Sequence, residues 1–165
     1  MPKHHAYLYY EAGQAVAAAH LGLTIRCISS NPGEQATEIV MPRNDPKARM
    51  ILWLTGMAAE KRGIGASSPL RRTRNRQRVR TLVEGLMDEF TGTASRRQAE
   101  ARSVLNQSQD RANAICAGLY DAIEEVADRL AERSVLEGRE VSRIVAEVKA
   151  RKRFDGDGEG QGFSS

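Results

Sequence analysis

The sequence has few of the residues from which cross-links and metal sites are built. Its two cysteines, Cys27 and Cys116, lie far apart in the chain and in no metal-binding spacing. This excludes a disulfide framework and a zinc-finger arrangement of ligands. Because a protein without disulfides is typical of a reducing compartment, we predict a cytoplasmic protein.

Long apolar runs and a signal-peptide pattern are also lacking, as is the phosphate-binding motif G-x-x-x-x-G-K-[ST]. One segment, residues 6–23, is long enough to suggest a membrane span, but it contains Glu11 and is largely alanine. A charged side chain at the centre of a span costs about 3 kcal/mol, which alanine does little to offset. We therefore predict a core helix in a water-soluble protein and no membrane partner.

The length of 165 residues, of which 41% are hydrophobic, predicts one domain with one sizeable core. We assign this domain to residues 1–152. The remaining residues, 153–165, are rich in glycine, carry three acidic groups and have almost nothing to bury. We predict that they form a disordered tail.

Apolar periodicity predicts a mainly α-helical fold with one small β-hairpin. A first helix is predicted over residues 5–21, with apolar side chains around most of its circumference. The runs TIRCIS and ATEIVM, separated by the turn sequence NPGE, predict the hairpin. Further helices are predicted over residues 47–62, from Pro69 onward, over 107–133 and over 139–152.

Four segments carry a longer pattern: YYEAGQAVAAAHLGL, GMAAEKRGIG, ASSPLRRTRNRQRVRTLV and ADRLAERSVLEGREVSRIV. In this order and at compatible spacing they resemble the peptidase domain of FtsH-type AAA+ zinc metalloproteases. The first is similar to the H-E-A-G-H-A helix of that family and the second to its G-x-A-A-E-E-x-x-F-G loop. The resemblance covers residues 5–148. It implies the helical FtsH-type protease fold, here expected as a stand-alone peptidase-like homologue.

The departures from that family fall on its zinc ligands. In H-E-x-x-H, two histidines on one helix face bind zinc and the glutamate activates the bound water. The resemblance places Tyr10 and Gln14 at the histidine positions, Glu11 at the general base and Pro69 at the third ligand, an aspartate. A phenol with a pKa near 10, a neutral amide and a proline form no tight zinc site. We therefore expect no zinc, no other cofactor and no catalytic residue, with Glu11 as a relict of the general base.

Glu11 is the only charged residue in the first predicted helix, and a buried ionised carboxylate needs a partner. One hypothesis is that arginine replaces the charge of the metal, with Arg71 or Arg72 as the nearest candidate. The alternative is that Glu11 packs or hydrogen-bonds locally. Glu60 matches the loop glutamate of the resembling family and is expected to have a structural or pocket-lining role. Together with Arg71 and Arg72 it defines a candidate pocket.

The run RRTRNRQRVR places six arginines in ten residues at the front of a helix, where each cation opposes the helix dipole. Its later members form a basic patch of Arg74, Arg76, Arg78 and Arg80. Three interpretations stay open: a solvated face with salt bridges, docking onto an acidic protein surface, or binding of nucleic acid. The last has no accompanying nucleic-acid motif, and aromatic residues make up 5% of the chain.

The resemblance and its departures together predict a pseudopeptidase, a catalytically inactive metallopeptidase-like domain. It would bind a peptide, protein or small ligand in the relict cleft around Tyr10, Glu11, Gln14 and Pro69, or modulate a true protease, and a homo-oligomer is left open. One alternative is an active metallopeptidase-like hydrolase with an atypical zinc site. Its ligands would come from the remaining histidines and cysteines: His4, His5, His20, Cys27 and Cys116. The other is a nucleic-acid-associated protein that uses the arginine-rich helix, residues 70–80.

Overall fold

The computed structural model describes residues 4–31, 37–41, 45–65 and 69–158, and these form a mainly helical fold with one small sheet. The elements are, in chain order, α1 (Ala6–His20), β1 (Thr24–Ser29), β2 (Glu38–Val40), α2 (Pro46–Ile64), α3 (Pro69–Glu89), α4 (Ala94–Gly118), α5 (Tyr120–Arg133), β3 (Val135–Glu137) and α6 (Gly138–Gly158). The predicted helical class is confirmed. No helix in these ranges is both long and apolar enough to cross a membrane.

The central helix α1 is buried on most of its circumference, as its sequence predicts, and it packs most extensively against α2. Two glycines allow this close approach. A Cβ at Gly13 would lie 2.7 Å from the Cβ of Ala59, and a Cβ at Gly56 would lie 3.0 Å from the Tyr10 ring. Since these distances are below normal contact, the crossing of the two helices depends on the missing side chains. The crossing also fixes the position of Tyr10 and its neighbour Glu11.

The sheet has the order β2-β1-β3, with both pairs antiparallel. The β1–β2 pair confirms the predicted hairpin, although its turn lies largely in residues 32–36, outside the described residues. β3 was not predicted, because three residues between two helices carry too weak a strand pattern. Gly138 follows β3 so closely under β1 that a Cβ there would lie 1.8 Å from the carbonyl oxygen of Ile25.

Two clusters of buried side chains form the core. The larger joins α1 to α2, α4, α5, α6 and the sheet, with α5 and α6 contributing mainly aliphatic residues. The smaller lies between α2, α3 and α4 and is built around Met50, Leu54, Leu86, Ala101 and Ala112. The C-terminal half of α3 therefore packs on α4, whereas its arginine-rich N-terminal half contributes few buried side chains.

The prediction of a single helix over residues 107–133 is wrong. Two helices, α4 and α5, meet at Leu119, whose φ of −120° and ψ of 25° interrupt the helical path. α4 also begins earlier than predicted, after Thr93, whose side chain accepts a hydrogen bond from the Arg96 amide. At the other end of the chain, α6 extends to Gly158 and so enters the segment predicted as a tail. Residues 159–165 lie outside the described residues.

Candidate functional site

Tyr10 and Gln14, the two positions that the resemblance aligns with zinc-binding histidines, are hydrogen-bonded to each other. They lie one turn apart on α1, and the Gln14 amide donates to the Tyr10 hydroxyl over 2.9 Å. Tyr10 is buried, with Gly56 of α2 against its ring and the Arg78 guanidinium 4.9 Å from the ring centroid. The ring is therefore constrained by α2 at one edge and by Arg78 over one face.

This arrangement does not fit a zinc ion at the position that the resemblance implies. Burial raises the pKa of Tyr10, despite the opposing charge of Arg78, so the phenol keeps its proton and is a poor metal ligand. The Gln14 amide is engaged with that phenol. Pro69, at the position of the third ligand, is exposed at the start of α3 and has no donor side chain.

Glu11 follows Tyr10 on α1 and is buried, with 6% of its surface exposed. The Thr37 hydroxyl donates a hydrogen bond of 2.8 Å to its carboxylate, and the Tyr7 hydroxyl forms a second hydrogen bond with it. Burial raises the pKa of Glu11, while the two hydrogen bonds and the charge of Arg78 act in the opposite direction. Burial together with the Glu11 charge also raises the pKa of Tyr7. The carboxylate thus has local hydroxyl partners on α1 and beside β2.

A cavity of about 380 Å³, called the cleft below, opens beside this carboxylate between α1, α2 and β2. It is lined by polar residues and by an apolar wall: Tyr7, Glu11, Gln14, Thr37, Arg49, Ile39, Met41, Leu52 and Trp53. The volume falls in the lower part of the range for ligand pockets in proteins. A carboxylate, a cation, an amide and two aromatic rings within one cavity give it the means to bind a ligand with mixed polarity.

The structure places the candidate pocket of Glu60, Arg71 and Arg72 differently from the sequence hypothesis. Arg71 lies with its Nη1 2.8 Å from Oε1 of the buried Glu60, so it forms an ion pair with Glu60. Arg72 lines a separate cavity between α2, α3 and α4. The arginine whose charge acts on Glu11 is Arg78. The contacts described for the Glu11 carboxylate are the hydroxyls of Thr37 and Tyr7, and the charge of Arg78 has a smaller effect on its pKa than either hydrogen bond, so the structure favours the alternative of local hydrogen bonding.

The arginine run is divided by what its members contact. Arg78 is half-buried over Tyr10, and Arg80 forms an ion pair of 3.0 Å with Glu84. Arg74 and Arg76 are exposed. The predicted basic patch is therefore not uniform, since one of its four members is directed into the protein.

The remaining histidines and cysteines are distributed over several elements. His4 pairs with Asp128 of α5, and His20 lies at the end of α1. Cys27 is buried in β1 and Cys116 in α4. Within the ranges that the structure describes, no group of three or more histidine, cysteine or acidic side chains is placed to hold a metal ion.

Sequence reasoning found Glu11 and Gln14 of the cleft but missed Tyr7, Thr37, Arg49 and Trp53. Tyr7 could have been found, because it lies four residues before Glu11 and so shares its helix face. Thr37 directly precedes β2, Arg49 and Trp53 belong to α2, and no local pattern indicates that these segments meet at Glu11.

Comparisons with known proteins leave the family open. No protein-family model matches the chain. A search of curated proteins likewise finds no match.

Proposed function

We propose that this protein is a catalytically inactive, FtsH-type peptidase-like domain whose cleft binds an extended peptide segment of a partner protein. The observation that carries the proposal is the open cavity beside Glu11, which Gln14 also lines, whereas Tyr10 and Pro69 are not among its described lining residues. The FtsH-type assignment itself rests on the four sequence segments and on their order along the chain.

An extended peptide is the ligand class that the borders of the cleft favour. Thr37, Ile39 and Met41 line it at alternate positions along the β2 segment, so their side chains share one face. β2 is an edge strand of the described sheet, with β1 as its partner. An edge strand can bind a peptide by adding it as a further strand, and an adjacent pocket then selects one of its side chains.

The chemistry of the cleft favours a side chain with an apolar body and a hydrogen-bond donor at its tip. Trp53 and Ile39 supply apolar surface, and Glu11 supplies an acceptor at the inner end. A tyrosine of the peptide has this combination of an apolar body and a donor, and its ring can contact the Arg49 guanidinium that also lines the cleft. The absence of fitting zinc ligands at Tyr10 and Gln14 supports binding without hydrolysis.

The chain contains one tryptophan, Trp53, and it lines the cleft, so binding can be followed by its own fluorescence. Peptides are first selected from a random phage library, and the selected peptide is then titrated into the protein. We expect saturable binding that changes Trp53 emission. Arg49→Gln, which removes a cleft cation, should weaken binding by about tenfold or less, as expected for an exposed charge. Lys47→Gln is the matched control, because Lys47 is exposed on the same helix and lies outside the cleft.

A second control tests the edge strand. A peptide N-methylated at alternate residues loses the backbone donors needed for strand addition but keeps its side chains. We expect one of its two methylation registers to abolish binding. Equal affinity for both registers, or an equal loss in Arg49→Gln and Lys47→Gln, would contradict binding in the cleft.

A further inference from the structure

A second and larger cavity, of about 980 Å³, lies between α2, the N-terminal half of α3 and α4. We call it the basic groove. It shares no lining residue with the cleft. Its floor is apolar and includes Leu54, Met57, Val79 and Cys116. The volume is at the upper end of the range for small-molecule sites, so it can enclose most of a ligand of that size.

The rim of the groove carries charge of one sign. Lys61 and Arg62 contribute from the last turns of α2, and Arg72 and Arg76 contribute from the front of α3. The described lining residues include no carboxylate. Four exposed cations around an apolar floor create a positive potential over the groove, which favours an anion.

Of these four cations, Arg72 and Arg76 of α3 are the two whose position is not explained by helix stability. Lys61 and Arg62 interact favourably with the C-terminal dipole of α2, and Arg62 also lies 4.3 Å from the Tyr120 ring centroid. Arg72 and Arg76 have no such reason for their position, because cations at a helix N-terminus oppose the dipole. Among the described residues neither forms an ion pair, although both line the groove.

The members of the arginine run thus fall into two sets with different contacts. Arg71, Arg78 and Arg80 engage Glu60, Tyr10 and Glu84 within the protein. Arg72 and Arg76 are four residues apart, share one side of α3 and border the groove.

We propose that the basic groove binds a small anionic amphiphile, an aliphatic chain with a carboxylate or phosphate head. The chain lies on the floor of Leu54, Met57 and Val79, and the head pairs with Arg72 and Arg76. Guanidinium groups bind both kinds of head through two parallel hydrogen bonds. The amide side chains of Gln109 and Asn113, which are hydrogen-bonded to each other over 3.0 Å, border the groove on the α4 side.

Isothermal titration calorimetry tests the assignment with octanoate, decanoate, laurate and dodecyl phosphate, each below its micelle concentration. We expect affinity to rise by about fourfold for each added methylene until the floor is covered. Decanol, which lacks the charge, should bind at least about tenfold more weakly than decanoate. The preferred head identifies the source, since tighter binding of laurate indicates a fatty acid and tighter binding of dodecyl phosphate indicates a phosphate ester.

Variants locate the site. Arg72→Gln combined with Arg76→Gln should weaken binding by about tenfold or more. The matched control is Arg74→Gln, an exposed arginine of the same run outside the groove, which should leave binding unchanged. Asn113→Trp places a large side chain into the groove from an exposed position on α4 and should abolish binding.

Three results would overturn the proposal. One is an affinity independent of chain length, which indicates general charge attraction. Another is an equal loss in Arg74→Gln and in the groove variants. The third is binding of none of the four anionic probes, including the case in which an acidic amphipathic peptide binds instead. The titrations are independent of peptide binding, since none of these variants alters the cleft.

Discussion

Replacing Glu11 by glutamine removes the negative charge of the cleft while leaving its shape almost unchanged. Glu11 is 6% exposed, and burial raises its pKa above the ordinary value of 4.5. As pH rises, the unfolded chain therefore loses this proton at a lower pH than the folded protein does. Ionisation then favours the unfolded state, and the wild-type protein loses stability between the unfolded and the folded pKa. Glutamine cannot ionise, so the variant avoids this loss.

The difference in the free energy of unfolding between Glu11→Gln and wild type has two parts. The first does not depend on pH: glutamine can still accept from Thr37, but one of the two hydroxyl hydrogen bonds is lost, at a cost of about 1 kcal/mol. The second appears only as pH rises, and it favours the variant by about 1.4 kcal/mol for each unit of raised pKa. Comparing two pH values separates them, because only the second part changes.

Urea denaturation of both proteins at pH 4 and pH 8 measures the effect. We expect the free energy of unfolding of Glu11→Gln, relative to wild type, to increase between pH 4 and pH 8. Glu84→Gln is the matched control, because it makes the same chemical change in an exposed ion pair, with an effect within about 0.5 kcal/mol. If Glu11→Gln instead becomes relatively less stable as pH rises, the ionised carboxylate is stabilised by its partners and the reasoning fails.

Two further predictions concern the framework around the site. Gly138→Ala should destabilise the protein by about 3 kcal/mol, because its Cβ would overlap a carbonyl oxygen of β1. Gly85→Ala is the control in open space on α3 and should stabilise the protein by about 0.5 to 1 kcal/mol. Similar shifts of the thermal unfolding midpoint in the two variants would contradict the packing. Arg71→Gln should lower the free energy of unfolding, measured by urea denaturation, by about 2 to 4 kcal/mol because buried Glu60 loses its ion pair. Arg80→Gln removes a partner from an exposed ion pair and should change this free energy by less than about 0.5 kcal/mol. Equal effects in the two arginine variants would show that burial of the pair contributes nothing.

The helices could be predicted where apolar residues recur with a clear period. α1 was predicted over residues 5–21 and spans Ala6–His20, because its apolar periodicity persists over its whole length. The boundary between α4 and α5 could not be predicted, since the apolar spacing continues through Leu119 and a break in the backbone leaves that spacing intact. The start of α4 had a usable signal, a threonine cap at Thr93 after Gly92, where φ is 108°.

The site shows the same limit. The sequence hypothesis named Arg71 or Arg72 as the partner of Glu11, whereas the structure pairs Arg71 with Glu60 and places Arg78 over Tyr10. Arg71 and Arg78 are seven residues apart and share a helix face, so periodicity cannot distinguish them. The packing of α3 on α4 fixes the position of α3 along its own axis. This position places Arg78 over Tyr10 and Arg71 beside Glu60. That position depends on contacts between distant segments.

The measurement that tests the central claim most directly follows the fate of a cleft-binding peptide and the metal content of the protein in one sample. The protein is dialysed against zinc, incubated with the selected peptide and divided among Trp53 fluorescence, peptide mass spectrometry and elemental analysis. We predict peptide of unchanged mass, a full Trp53 fluorescence response and a zinc content near zero per chain. Peptide fragments that accumulate with time, together with zinc approaching stoichiometric content, would contradict a binding cleft without catalysis.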